Sequence, residues 1–245
     1  QKASVVVTGS STGLGRDAVR RFATMDYLVY AGVRSQRDAE SWSDWPNVVP
    51  VLLDVRNASH IDAVARRVEA GDRSLAAIVS NAGVSTPPMA FVDAPHQTVF
   101  DVNLVGPLTL TQRLFPTLVA NRGRVVFVGS AAGRSVLAPG VLAYHASKWA
   151  IEGLAMALRL ESPAVAVMVT EPGFIRTAIQ SKSMSSDQRA FLDRYRTAVD
   201  WLAATPSDHT DAVVHAVTST FPLPRYVIGW DARWGASSAW LFHDL

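Results

Sequence analysis

Seven short, almost continuously apolar runs recur along the chain, at Ser4–Thr8, Leu28–Val33, Val48–Leu53, Leu75–Ser80, Arg124–Gly129, Val165–Thr170 and Arg225–Gly229. Between them lie segments whose apolar residues have helical spacing: Leu14–Met25, Ala58–Ala70, Thr98–Ala120, Val141–Leu160, Ser186–Ala203 and Ser207–Thr218. A run that is apolar on both faces makes a strand covered on both sides. Helix-length connections return the chain to lay the next strand parallel to the last. The pattern predicts an α/β protein, a doubly wound, seven-stranded parallel sheet with helices on both faces. The 245 residues suit one such domain, and no internal repeat or linker divides them. Ligands of such sheets bind beyond the carboxyl ends of the strands.

Composition narrows the function classes. At 49% hydrophobic and 18% charged, the chain has the balance of a packed globule, not of a disordered segment. Its 23 Lys and Arg against 21 Asp and Glu leave a charge of +2, and the arginines are scattered, so no nucleic-acid surface is expected. The absence of cysteine removes disulfides, thiol nucleophiles and cysteine metal sites, and no metal is expected. No apolar run approaches the roughly 20 residues that span a bilayer. Gln1-Lys2-Ala3 runs straight into the first strand with no signal peptide, so the expected location is cytoplasmic.

The first strand ends in Thr8-Gly9-Ser10-Ser11-Thr12-Gly13-Leu14-Gly15 and leads into a helical pattern. Glycines at a strand-to-helix turn let a pyrophosphate approach the helix N-terminus closely. That makes Gly9, Ser11, Thr12, Gly13, Leu14 and Gly15 candidates for binding a dinucleotide, with a plain glycine turn as the competing reading. Asp54 and Val55 close the third strand. Asp54 either accepts from an adenine amino group or serves as an acid at the start of the next helix. Asn81-Ala82-Gly83 closes the fourth, as a close-approach glycine or a simple turn. The second strand ends in Val33-Arg34-Ser35, with no acid before Asp38. An acid at this place suits the ribose 2′-hydroxyl of NAD, whereas arginine suits a 2′-phosphate. NADP(H) is therefore favoured over NAD(H), although an exposed arginine is unremarkable in an arginine-rich chain.

Tyr144-His145-Ala146-Ser147-Lys148 puts a phenol and an ammonium four residues apart, on one face of a helix. A nearby cation favours the phenolate and would lower the tyrosine pKa from about 10, making a general acid or base. Lysine occurs only at Lys2, Lys148 and Lys182, all other basic residues being arginine.

These motifs in this order resemble the short-chain dehydrogenase/reductase family: Thr8–Gly15, Asp54, Asn81–Gly83, Asn103, Ser130, Tyr144–Lys148 and the stretch from Pro172-Gly173 through Ile175 to Thr177. The resemblance covers essentially the whole chain and implies a nicotinamide-dependent alcohol dehydrogenase or carbonyl reductase on a Rossmann fold. It implies that Tyr144 exchanges a proton with the substrate oxygen and that Ser130 polarises that oxygen. Lys148 would lower the tyrosine pKa and hold the nicotinamide ribose, and Asn103 would hold a water leading to Lys148. Pro172, Gly173, Ile175 and Thr177 would face the nicotinamide carboxamide.

Two departures from the family pattern stand out. Ser130 and Tyr144 lie one residue further apart than usual, the extra residue falling in Arg134–Gly140. Glu161-Ser162-Pro163-Ala164 before the sixth strand is shorter than usual.

The segment 175–205 matches the family's substrate loop and carries Met184, Phe191, Leu192, Tyr195 and Trp201, which either close over an apolar ligand or bury themselves in an amphipathic helix. Arg225-Tyr226-Val227-Ile228-Gly229-Trp230-Asp231-Ala232-Arg233 looks like the tail of the 17β-hydroxysteroid and retinol dehydrogenase-like subgroup, which suggests a lipophilic alcohol or carbonyl substrate. The tail aromatics Trp230, Trp234, Trp240 and Phe242 suit an interface, a membrane surface or packing on the chain itself. Small residues Ala143, Ala146, Ala150 and Gly153 suit the close helix packing by which relatives assemble, so a homodimer or homotetramer is expected. A non-catalytic dinucleotide-binding sensor or scaffold is the alternative function that the same fold permits.

Overall fold

The structure is a computed structural model describing residues 3–86, 89–93, 96–136, 140–175, 204–230 and 232–233. Its seven strands are β1 (Ser4–Val7), β2 (Leu28–Val33), β3 (Val48–Leu52), β4 (Leu75–Ser80), β5 (Arg124–Val128), β6 (Ala166–Pro172) and β7 (Arg225–Ile228). They form one sheet in the order β3-β2-β1-β4-β5-β6-β7, with every pairing parallel. The order reverses between β1 and β4, the topological switch point where open α/β sheets take their ligands.

The helices are α1 (Gly13–Thr24), α2 (Gln36–Glu40), α3 (Ala58–Glu69), α4 (His96–Phe100), α5 (Gly106–Ala120), α6 (Leu142–Glu161) and α7 (Pro206–Thr218). Alternation along the strands sends side chains to two cores. Val6, Ile78 and Phe127 point to the layer of α3, α5 and α6, where Ile61, Leu110, Leu114 and Ile151 are buried. Val5, Val7 and Val126 point to the layer of α1, α2 and α7, with Phe22, Trp42 and Val213. The doubly wound reading is borne out.

Local chemistry marks the helix ends. Asn57 accepts the amides of Ser59 and His60 to start α3. Thr205 and Asp208 form a reciprocal capping box with Pro206 in the first turn of α7. The segment read from the sequence as one helix over Thr98–Ala120 is divided. A widened π turn at Asp101–Val105 separates α4 from α5, and such turns often mark functional positions. Strand β6 runs two residues past the expected Thr170, because Glu171 and Pro172 pair with Val227 and Ile228 of β7. The helix expected over Ser186–Ala203 lies outside the described residues. Among the described residues no helix is long and apolar enough to cross a membrane.

Candidate active site

The turn after β1 is locked to the end of β4. Thr8 Oγ1 accepts the amides of Asn81 (3.0 Å) and Ala82 (2.8 Å), and Asn81 Nδ2 donates to the carbonyls of Thr8 (2.9 Å) and Gly9 (3.2 Å). The chain then takes left-handed φ values of +67° at Gly9 and +57° at Gly13. A Cβ on Gly15 would lie 2.4 Å from both Asn81 Nδ2 and the Gly9 carbonyl oxygen. The first two glycines therefore supply backbone conformation, and the third supplies room. Thr12 is extended and makes no side-chain cap to α1, whose first turn holds no acid. The leading amides of α1 thus keep their donors for an anion, as the pyrophosphate of a dinucleotide requires. Leu14 lies in the first turn of α1, and Ser11 accepts at its carbonyl from Arg16 Nη1 (3.3 Å).

Arg34 is exposed immediately after β2. The first acid after it, Asp38, is held by Ser35 Oγ (2.8 Å) at the start of α2. Asp54 sits after β3 with both oxygens engaged by Arg56, at 3.0 Å to Nε and 2.6 Å to Nη2, which holds its carboxyl down at about 2. An adenine amino group would have to share these oxygens with Arg56, a competition that the sequence does not reveal. Val55 is buried against Gly106, where a Cβ would come within 2.7 Å of it.

Beyond β5 the ionisable residues gather. Ser130 follows the strand, accepts the amide of Ala132 (3.1 Å) and donates to the Pro172 carbonyl in a long contact of 3.5 Å. Its hydroxyl also acts on the phenol of Tyr144 in α6, favouring the ionised form. Lys148, one turn further on, places Nζ 5.7 Å from the Tyr144 ring centroid and donates to the Val128 carbonyl (2.7 Å). Asn103 occupies the π turn and bonds the backbone of Val84 through Oδ1 (2.8 Å) and Nδ2 (2.9 Å), with a second Nδ2 bond to Ser147 Oγ (3.0 Å). Both amide protons are used, so a water held by Asn103 would bind at the free lone pair of Oδ1. That oxygen and Lys148 Nζ flank Gly83, at 3.5 and 3.8 Å from where its Cβ would lie.

The electrostatics depart from the sequence-based expectation. The Tyr144 phenol is pushed above its ordinary value by burial, and the Ser130 hydroxyl provides the opposing pull. Lys148 does not hold it down. The ammonium is itself buried, brought to about 8 by desolvation against the attraction of Glu152, and its short bond is to a backbone carbonyl. His145 turns away from the site, with Nδ1 against the Ala132 carbonyl at 3.2 Å.

Pro172 is buried at the end of β6, and the Gly173 amide donates to the Ile228 carbonyl (2.9 Å). Ile175 is buried beside Ala204 and Ile228. Thr177, the loop aromatics up to Trp201, and Trp234, Trp240 and Phe242 lie outside the described residues, whereas Trp230 is exposed. No group of three or more His, Asp or Glu suited to a metal occurs among the described residues.

A parallel sheet with an uncapped, glycine-turned helix at its switch point, and a Ser–Tyr–Lys group beside it, defines a nicotinamide-dependent oxidoreductase. Residues 3–188 match the family model described as short chain dehydrogenase, and the chain belongs to that family. It is 30% identical to retinol dehydrogenase 7 of Rattus norvegicus, across 94% of this chain and 81% of the relative. It is 29% identical to 17-beta-hydroxysteroid dehydrogenase type 6 of Mus musculus, over the same shares. Among solved structures, the closed form of a serine dehydrogenase complexed with NADP+ superposes with a TM-score of 0.78 at 28% identity, covering 92% of this chain and 94% of that one. The protein is an NAD(P)-dependent alcohol dehydrogenase or reductase.

Three contributors escaped the reading of the sequence. Thr8 ties the turn to β4 through its hydroxyl, a role that its place in the Thr8–Gly15 motif does not reveal. Ser147 links Asn103 to the Tyr144 carbonyl (2.7 Å). Glu152 repeats the four-residue spacing of Tyr144 and Lys148, which could have been noticed.

Proposed function

We propose that the protein interconverts a lipophilic secondary alcohol and its ketone with NADP(H), Tyr144 serving as the general acid or base. The observation that carries this is the gathering of Ser130, Tyr144 and Lys148 beyond β5, with Lys148 Nζ 5.7 Å from the Tyr144 ring centroid and Ser130 acting on the phenol. The bound cofactor supplies the hydride. Ser130 donates to the substrate oxygen and orients it beside Tyr144, which gives that oxygen a proton during reduction and takes it back during oxidation. Lys148, freed from the Val128 carbonyl, reaches the nicotinamide ribose and pulls the phenol towards its ionised form, opposing the burial that otherwise raises it. Asn103 holds Val84 and Ser147 in place and offers Oδ1 to a water that resupplies protons.

Gly9, Ser11, Thr12, Gly13, Leu14 and Gly15 would hold the pyrophosphate, with Asp54 and Val55 beside the adenine. Asn81, Ala82 and Gly83 would line the ribose and nicotinamide side, and Pro172, Gly173, Ile175 and Thr177 the carboxamide. Arg34, placed after β2 with no acid before Asp38 in the chain, supports NADP over NAD, and its charge also acts on Asp54. The preference for an apolar substrate rests on the retinol and hydroxysteroid dehydrogenase relatives. Trp149, Met156 and Leu160 share one exposed face of α6, which supports assembly through that helix as a homodimer or homotetramer.

The test is a panel of steroid, retinoid and small keto compounds followed by NADPH absorbance. Turnover that survives Tyr144→Phe would sink the assignment. Cofactor binding without turnover on any substrate would favour the sensor or scaffold reading.

A further inference from the structure

Behind the Ser–Tyr–Lys group lies a buried set of charges that the proposed reaction does not use. Glu152 follows Lys148 by four residues on α6, so Tyr144, Lys148 and Glu152 form one stripe along the helix. Its carboxylate is buried. Oε2 accepts from Arg225 Nε of β7 (3.0 Å), whereas Oε1 has no hydrogen-bond partner among the described residues and lies 3.2 Å from where a Cβ on Gly129 would sit, immediately before Ser130. Glu171 of β6, 1% exposed, shares the same Arg225 Nε at 3.2 Å and meets Arg134 Nη1 at 3.5 Å. Further out, Arg159 of α6 acts on this set and donates to the carbonyls of Val167 and Pro224. From α7, buried His209 bonds Thr170 Oγ1 (3.2 Å) and responds to the Lys148 charge.

A buried carboxylate with one unsatisfied oxygen is costly unless a cation answers it. Arg225 answers one oxygen only. The remaining field falls on Lys148, whose ammonium is favoured by Glu152 and disfavoured by burial.

We propose that Glu152 is a positioning residue for Lys148: its carboxylate, one helical turn away and clamped from behind by Arg225, keeps the lysine protonated at working pH. This rests on the role proposed above for Lys148. Arg225 and Arg134 restrain the carboxylates from outside, and among the described residues the negative charge that acts on Lys148 is that of Glu152. Glu171 shares the clamp without acting on the lysine.

The chain has only three lysines, Lys2, Lys148 and Lys182, so lysine labelled with carbon-13 gives three ε-methylene signals. Lys148→Arg identifies the one belonging to Lys148. Titrated without cofactor, that signal should have a midpoint near 8 in the wild type. In Glu152→Gln the midpoint should fall by about one pH unit, and in Glu152→Asp by a fraction of that. In Glu171→Gln, which perturbs the same cluster, the midpoint should stay. An unchanged midpoint in Glu152→Gln, or equal falls in Glu152→Gln and Glu171→Gln, overturns the proposal. Should Glu152→Gln fail to fold, an unchanged midpoint in Glu152→Asp overturns it equally. A parallel pH profile of kcat/KM for ketone reduction separates the two levels. A shifted NMR midpoint with an unshifted alkaline limb leaves the coupling standing and overturns the function assigned to Lys148.

Discussion

The two banks of the crevice are made of different materials. The β1–β4 bank, which faces the pyrophosphate in the proposed binding mode, is built from backbone and from missing side chains: two left-handed glycines, a Gly15 with no room for a methyl, and the Thr8–Asn81 clasp. Its one buried-edge acid, Asp54, is neutralised by Arg56 and stays ionised down to about pH 2. The β5–β6 bank is built from ionisable side chains, the half-buried Tyr144 and the buried Lys148, Glu152, Glu171 and His209. The first bank is set by sterics and is indifferent to pH. The second is poised by desolvation, so its properties depend on protons. A site that binds one ligand and performs acid–base chemistry on another needs both kinds of wall, and this fold keeps them on opposite sides of the switch point.

The largest effect expected is on the ionisable bank. Tyr144→Phe removes the proposed proton donor while leaving the ring in place. Turnover should fall by roughly 10²–10⁴-fold, with NADPH affinity unchanged by fluorescence titration, because the cofactor bank is untouched. A parallel loss of NADPH binding would show that the two banks are not separable.

Next comes acid stability. His209 is buried and held neutral, at about 4 against an ordinary 6.5, chiefly by desolvation and also by the Lys148 charge. Between those values the unfolded chain binds the proton that the folded one refuses. Stability therefore falls as pH drops from about 6.5 to about 4, by an amount that approaches about 3 kcal/mol for this group. Glu171, raised by burial, has the opposite sign: its folded form takes up a proton first, which favours folding as pH falls through its raised value. The difference in urea midpoint between wild type and His209→Gln, followed across that range, isolates the histidine. A constant difference would mean that His209 is not desolvated as described.

Gly15→Ala tests the other bank. Its Cβ would meet a backbone oxygen and the Asn81 amide, which can yield only by opening the Thr8–Asn81 clasp. A loss of roughly 1–3 kcal/mol is expected, together with weaker NADPH binding. Its size should be the same across the range in which the His209 difference varies. A loss that titrates would break the contrast between the two walls.

Much of this was legible in the chain, and the gaps have physical causes. Leu28–Val33 and Leu75–Ser80 match β2 and β4 residue for residue, because turn chemistry bounds apolar runs on both sides. The end of β6 was missed because its last pairs depend on β7, some fifty residues away, and because Glu171 reads locally as the end of an apolar run. The π turn at Asp101–Val105 leaves the apolar spacing almost unchanged, so nothing in the pattern marks it. At the site, helical spacing put Tyr144 and Lys148 on one face. It could not tell how deeply they would be buried, and burial decides the direction of both pKa values. Local spacing specifies direction along a helix, whereas desolvation is a property of everything packed around it.

The smallest effect expected lies at the outer edge of the steric bank, where Arg34 stands in solvent. Arg34 is exposed, and a charge in water is screened, so its proposed contact with a 2′-phosphate gains less than a buried pair would. Arg34→Ser should weaken NADPH binding by roughly tenfold, the value of a charge-assisted hydrogen bond, and leave NADH binding almost unaltered. The loss should shrink as salt is added, unlike that of Gly15→Ala, since one interaction is electrostatic and the other is steric. If the wild type already binds NADH more tightly than NADPH, Arg34 does not read the phosphate. The steric bank would then distinguish dinucleotides by shape alone.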